Sequence, residues 1–139
     1  MRVNQLAKSL GITPDTVRFY TRIKVLQPVK SKANGYREYN EKDISRLKFV
    51  LSARQLGFAV DDIQQILAQT DKDKSPCPTV RRLIDQRLRE TEQQYLDMVQ
   101  LRERMVLAVQ DWSDKPDKAP TGHMICHLIE EFTPTEFEE

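Results

Sequence analysis

Apolar residues in the first seventy positions recur at helical spacing, interrupted once by a short alternating stretch. Leu6, Ala7 and Leu10 give a first helix its inner face, Gly11 allows a turn that a side chain would obstruct, and Ile12 plugs the joint. Thr13 caps a second helix, with Pro14 at its first position. Two short helices joined by so tight a turn form a helix-turn-helix pattern, whose partner is duplex DNA. The first turn of the second helix in such a motif reaches base edges, which makes Thr13, Thr16, Arg18 and Tyr20 candidate contacts.

The turn Lys32-Ala33-Asn34-Gly35 then separates Val29 from the alternating run Tyr36-Arg37-Glu38-Tyr39, and Asn-Gly is a strong hairpin signal. A hairpin at this place makes a wing. Its Lys30, Lys32, Tyr36, Arg37 and Tyr39 are cations and phenols suited to phosphates and a groove edge. Asn40 caps a third helix from about Glu41, with Ile44, Leu47, Val50, Leu51 and Leu56 as its inner stripe and Gly57-Phe58 as its end. Val60 to Gln69 reads as a fourth, with Ile63, Ile66 and Leu67 inward and Asp61 and Asp62 in the first turn, where the macrodipole favours them.

Residues 71–78 are polar and bracketed by prolines, so they read as a linker. Beyond them, 79–111 contain no Gly or Pro, and Ile84, Leu88, Thr91, Tyr95, Met98, Met105 and Val109 keep a 4-3 alternation that slips near Leu101 and Arg102. A lone helix of that length cannot bury such a stripe against a head already complete, so the spacing predicts pairing with a second copy. The expected fold is mainly α-helical: a winged helix-turn-helix head over 1–70 with a small β-hairpin wing, and a long antiparallel coiled-coil dimerisation helix. Residues 112–129 then form a loop and short helix, and 130–139 an acidic tail expected to fray.

Length and charge narrow the class. With 139 residues the chain holds one domain, or one small domain and an appendage. No apolar run approaches the ~20 residues of a membrane span and the start is polar, so no membrane partner is expected and the cytoplasm is the expected location. The net charge of +1 hides an asymmetry: residues 1–54 hold 12 Lys+Arg against 4 Asp+Glu, and residues 55–139 hold 10 against 17. A basic head joined to an acidic remainder fits nucleic-acid binding. No Ser-His-Asp set, phosphate loop or paired carboxylates suggests an enzyme.

The order of helix-turn-helix, Gly35-Tyr36-Arg37-Glu38-Tyr39 wing, second helix pair ending in Gly57-Phe58, linker and long helix resembles the MerR family of bacterial transcriptional regulators. Thr16-Val17-Arg18-Phe19-Tyr20 falls where another signature of that family falls. The resemblance covers residues 1 to about 110. It implies a homodimer whose paired heads grip a palindrome in an overlong promoter spacer. Effector binding then bends and untwists the DNA so that RNA polymerase meets both promoter elements in phase. Carried over residue by residue, Arg18, Tyr20 and Arg37 contact DNA.

In the metal-responsive branch of that family a cysteine stands at the start of the long helix and ligates metal with residues of a loop after the same helix in the other subunit. Cys77 occupies that junction, and its being cysteine rather than serine points to a divalent ion. The chain has two cysteines and two histidines. Its second cysteine, Cys126, lies with His123 and His127 in the region of that loop. Relatives that sense zinc or copper generally carry two cysteines in the loop, so a set of Cys77, Cys126, His123 and His127 is an inference from the residues present. Two thiolates with imidazoles suit Zn²⁺ first, and also Cd²⁺, Pb²⁺, Co²⁺ or Hg²⁺. His123 lies three residues before Cys126 and four before His127, so on a helix all would share a face. Trp112 is expected to cap the dimer core. The competing expectation is a redox- or electrophile-responsive regulator in which Cys77, beside Lys74, Arg81 and a helix N-terminus, is a reactive thiolate and no metal binds.

Overall fold

In the computed structural model, which describes residues 1–133, the head is built from local sequence chemistry. Helix α1 (Val3–Leu10) ends at Gly11, whose φ of +67° needs glycine and whose N–H bonds the Ala7 and Lys8 carbonyls. Helix α2 (Pro14–Arg22) starts as expected: the Thr13 hydroxyl accepts the Thr16 N–H at 3.2 Å. Strands β1 (Val29–Lys30) and β2 (Arg37–Glu38) pair antiparallel, Val29 with Glu38 and Lys30 with Arg37. The turn between them is closed by Gly35 N–H to the Ser31 carbonyl at 2.8 Å.

Helices α3 (Glu41–Gln55) and α4 (Val60–Asp71) complete the pair behind the wing. Asn40 caps α3 by accepting the Asp43 N–H at 2.9 Å. The Asp43 carboxylate in turn accepts the Asn40 N–H at 3.2 Å and the Gln27 N–H at 3.0 Å, so one buried side chain ties α3 to the loop after α2. Leu6, Val17, Leu47, Val50 and Ile63 are fully buried at the centre of the head. Leu56 is not part of the inner stripe: α3 ends at Gln55, and Leu56 caps it with its side chain in solvent.

Helix α5 (Cys77–Trp112) begins two residues earlier than expected, so the linker shrinks to 72–76 and Cys77 is the first helical residue. Pro78 is accommodated because a first-turn N–H has no partner inside a helix. The chain divides into two compact units, 1–87 and 88–139. The first turns of α5 belong to the head, which is incomplete without them: Leu83 is buried, and Val80 and Ile84 pack against the core. Ile84 is thus a head residue rather than the start of an exposed seam.

An ion pair between Asp62 and Arg87 fastens α5 to α4. Asp62, 2% exposed, receives Arg87 Nε at 2.7 Å and Nη2 at 2.9 Å, and also caps α4 through the Ala59 N–H at 2.8 Å. The Arg87 hydrogen bond holds the Asp62 carboxyl below its ordinary value against the opposing effect of burial, helped by the Ala59 N–H and by the charges of Arg87 and Arg82. A depressed folded-state value stabilises the fold above about pH 4, the unfolded value, and that contribution is lost as pH falls through the lower folded one. Asp62→Asn should cost about 3 kcal/mol at pH 7, the lower part of the range for breaking a buried pair, because Arg87 keeps some water contact. Urea unfolding checks this, and the gap between variant and wild type should narrow below about pH 4.

In the second unit α5 runs on to Trp112, a loop follows, and α6 (His127–Glu130) closes it. Trp112 does not face an empty seam. Its Nε1–H donates to the Leu128 carbonyl at 2.9 Å, and its ring meets Phe132 edge-on at 6.0 Å. Glu130 is part of α6, and its carboxylate accepts the Ile125 and Cys126 N–H groups. Glu130, the first residue of the expected tail, thus belongs to α6, and 134–139 lie outside the described residues. Leu88, Tyr95, Met98, Met105 and Val109 are 54–69% exposed along α5. Among the described residues no helix is long and apolar enough to cross a membrane.

Candidate nucleic-acid interface and metal ligands

Helix α2 presents Asp15 and Arg18 to solvent, beside its exposed cap Thr13, and turns Val17 and Tyr20 inward, since residues three apart share a face. Tyr20, expected at the interface, is built into the head: it is 5% exposed and its ring packs edge-on to Phe19 at 5.0 Å. Thr16 is half-buried, its hydroxyl 2.9 Å from that of Thr13. Arg18 projects outward with its Nη1 bonded to Asp15 Oδ1 at 2.8 Å.

On the wing, Lys32, Tyr36 and Arg37 are exposed, and the Asn34 side chain accepts the Tyr36 N–H at 3.0 Å, fixing the turn. Tyr39 is set differently from these three. It is 2% exposed and its hydroxyl lies 2.7 Å from that of Thr21, so it ties the wing to α2. Arg2, missed in the sequence, lays its guanidinium 4.4 Å from the Tyr36 ring centroid and is 3.8 Å from Glu38. A cation four residues before Leu6 carried no motif, and only the folded wing brings it there. Asp15 was also missed, although its spacing of three from Arg18 is a readable signal.

The four candidate ligands lie in different settings. Cys77 is exposed at the first position of α5, its N–H donating to Ser75 Oγ at 3.3 Å. Cys126 is half-buried and extended, at the N-cap of α6. His123 is exposed and precedes that helix, so His123, Cys126 and His127 do not share a helical face as their spacing allowed. The physical reason is that α6 is a single turn that begins only at His127, with the carboxylate of its own Glu130 reaching back to accept the Cys126 N–H.

His127 is 4% exposed with Nε2 at 3.0 Å from the Pro116 carbonyl oxygen, which makes Nε2 the protonated nitrogen. Nδ1 is a buried nitrogen with no hydrogen bond, 3.6 Å from Glu131 Oε2. An imidazole with one N–H anchored on a carbonyl and its other lone pair unused is the form that a metal-ligating histidine takes. Two accessible thiols and this nitrogen therefore fit a borderline-soft divalent ion in chemical type. Among the described residues no three His, Cys, Asp or Glu side chains gather closely enough to hold one.

Comparison with known proteins places the chain in a family. Residues 1–70 match the family described as MerR HTH family regulatory protein, and 44–107 match the one described as MerR, DNA binding. The HTH-type transcriptional regulator ZntR of Escherichia coli is 31% identical over 130 residues, 93% of this chain and 89% of its own. A Haemophilus influenzae protein described as a probable heavy metal-dependent transcriptional regulator is 32% identical over 114 residues, 82% of this chain and 86% of its own. A transcription regulator of Ralstonia metallidurans crystallised in complex with lead(II) shares the fold, with a TM-score of 0.72 at 23% identity over 94% of this chain and 98% of that one.

Proposed function

The chain belongs to the MerR family of helix-turn-helix transcriptional regulators, and on that premise we propose that it is a homodimeric, metal-responsive activator. It is a DNA-binding protein and not an enzyme. In this reading two heads grip the half-sites of a palindromic promoter operator, and metal binding converts that grip into bending and untwisting that RNA polymerase can use. The observation that carries it is α5: 36 residues long, apolar along a stripe that is exposed in the single chain, with Cys77 as its first residue.

A helix of 36 residues extends about 54 Å, and Cys126 follows fourteen residues after its end. Antiparallel pairing of two such helices lays the first residue of one beside the last of the other, so each site takes Cys77 from one chain and Cys126 from its partner. Cys77 and Cys126 as thiolates, with His123 and the Nδ1 of His127, would hold the ion, which supplies a cross-link between protomers. Zn²⁺ is the preferred ion, with Cd²⁺, Pb²⁺, Co²⁺ and Hg²⁺ as alternatives, in keeping with a relative described as heavy metal-dependent and a structural neighbour that holds lead.

The head is placed to respond. Leu83 in the core and the Arg87–Asp62 pair make the first turns of α5 one body with α4, so a shift at Cys77 moves the head with it. Deforming an operator costs on the order of several kcal/mol, which a cross-link acting through rigid elements can supply.

Arg18→Ala should weaken operator binding about tenfold or more, equally with and without metal, because it removes an outward-facing cation of α2. Fluorescence anisotropy on a promoter duplex reads this. Undiminished affinity would remove α2 as the reading helix.

A further inference from the structure

Asp15 has no evident place on a surface meant for a polyanion. Its side chain is 91% exposed in the first turn of α2, and its Oδ1 takes a 2.8 Å hydrogen bond from Arg18 Nη1. An acidic residue there ordinarily serves the helix dipole. On a helix that enters a groove, however, its charge opposes every phosphate it approaches. Arg18 offsets part of that repulsion, and a hydrogen-bond donor on the DNA would offset the rest.

In the major groove two base groups donate, cytosine N4 and adenine N6. Adenine carries the N7 acceptor beside its donor, and that lone pair repels a carboxylate. In a C·G pair the cytosine donor is followed instead by guanine O6 and N7, two acceptors that suit a guanidinium. A carboxylate and a guanidinium held side by side therefore match the donor-acceptor-acceptor order of a C·G pair. The Asp15–Arg18 pair is such an arrangement.

We propose that Asp15 is a specificity-determining residue that selects a cytosine in each operator half-site through N4–H to carboxylate bonding. The same carboxylate holds Arg18 toward the guanine of that pair or the adjacent one. On DNA without the donor, the Asp15 carboxylate faces base acceptors and keeps Arg18 from reaching them, so binding weakens. The proposal rests on α2 being the base-reading helix of the function proposed above.

Selection from a random-sequence duplex library with the full chain tests it. Wild type should enrich a cytosine at one position of each half-site, mirrored about the dyad, by about fivefold over other bases. Asp15→Ala should lose that preference at that position alone and bind random duplex more tightly. Asp15→Asn should move the preference to adenine, because an amide pairs with both N6 and N7. The side chain is exposed, so both variants should fold, and a thermal melt verifies it.

Unchanged base preferences in both Asp15 variants, with Arg18→Ala still altering them, would overturn the proposal and leave Asp15 a helix-end charge. Preferences unchanged in Arg18→Ala as well would show that α2 does not read bases. The reading helix and this inference would then fall together.

Discussion

Cys77→Ser should bind operator DNA as tightly as wild type and fail to activate transcription when Zn²⁺ or Cd²⁺ is added. The side chain is exposed at the first position of α5 and contributes nothing to the core of the head, so affinity for DNA has no reason to change. Induction should fall by more than about tenfold, since even outer-shell changes around a metal cost that much and here a thiolate ligand is lost. A promoter-reporter strain and anisotropy on the same duplex separate the two properties. Full induction in Cys77→Ser would remove this residue from the site. His123→Ala and His127→Ala distinguish metal from thiol chemistry: both should reduce induction if a metal is held, and neither should if Cys77 alone senses an oxidant or electrophile.

Met98→Asp should abolish dimerisation and with it operator binding. Met98 lies near the middle of the exposed stripe, and in a paired α5 each copy would confront its counterpart with a buried carboxylate. A single head retains only half of the operator, so affinity should fall at least about a hundredfold, as expected when two linked binding events become one. Because the side chain is exposed in the single chain, the variant should keep its helical content. Sedimentation at micromolar concentration should then give a monomer mass for the variant and a dimer mass for wild type. A dimer in both would move the interface off this stripe.

The parts of the fold that the sequence announces are those decided within a few residues. Thr13 and Asn40 cap helices because a hydroxyl or amide oxygen there meets an N–H three positions on. Asn34-Gly35 turns the wing because glycine accepts a φ of +74°. Tyr20 and Tyr39 were less legible. Tyrosine has an apolar body and a polar tip, and composition alone does not say which one the fold uses. For Tyr20 the answer was available in its spacing from Val17, whereas Tyr39 needed the distant Thr21.

Features set by long-range contacts were hidden. Nothing local joins Asp62 to Arg87 or Trp112 to Leu128, so the head's claim on the first turns of α5, and with them Ile84, could not be read from the heptad pattern. Pro78 obscured the start of α5 because proline suits both a linker and a first helical turn. At the candidate site the ligand types were legible but their arrangement was not. His127 shares neither the exposure of His123 nor its setting, because the Pro116 carbonyl draws it into the second unit.

A mixing experiment decides most directly whether a metal is held between two chains. Cys77→Ser and Cys126→Ser are each titrated with Co²⁺ under reducing, anaerobic conditions, alone and after equimolar subunit exchange. Each homodimer lacks one thiolate from both sites, whereas a mixed dimer with shared sites has one site with both thiolates intact. Thiolate-to-cobalt absorption should be lost in the separate variants and return in the mixture to about a quarter of the wild-type amplitude, since random exchange makes half the dimers mixed and each carries one of two sites. A mixture as silent as its components, beside a wild type that binds cobalt through thiolates, would contradict a site shared across the dimer.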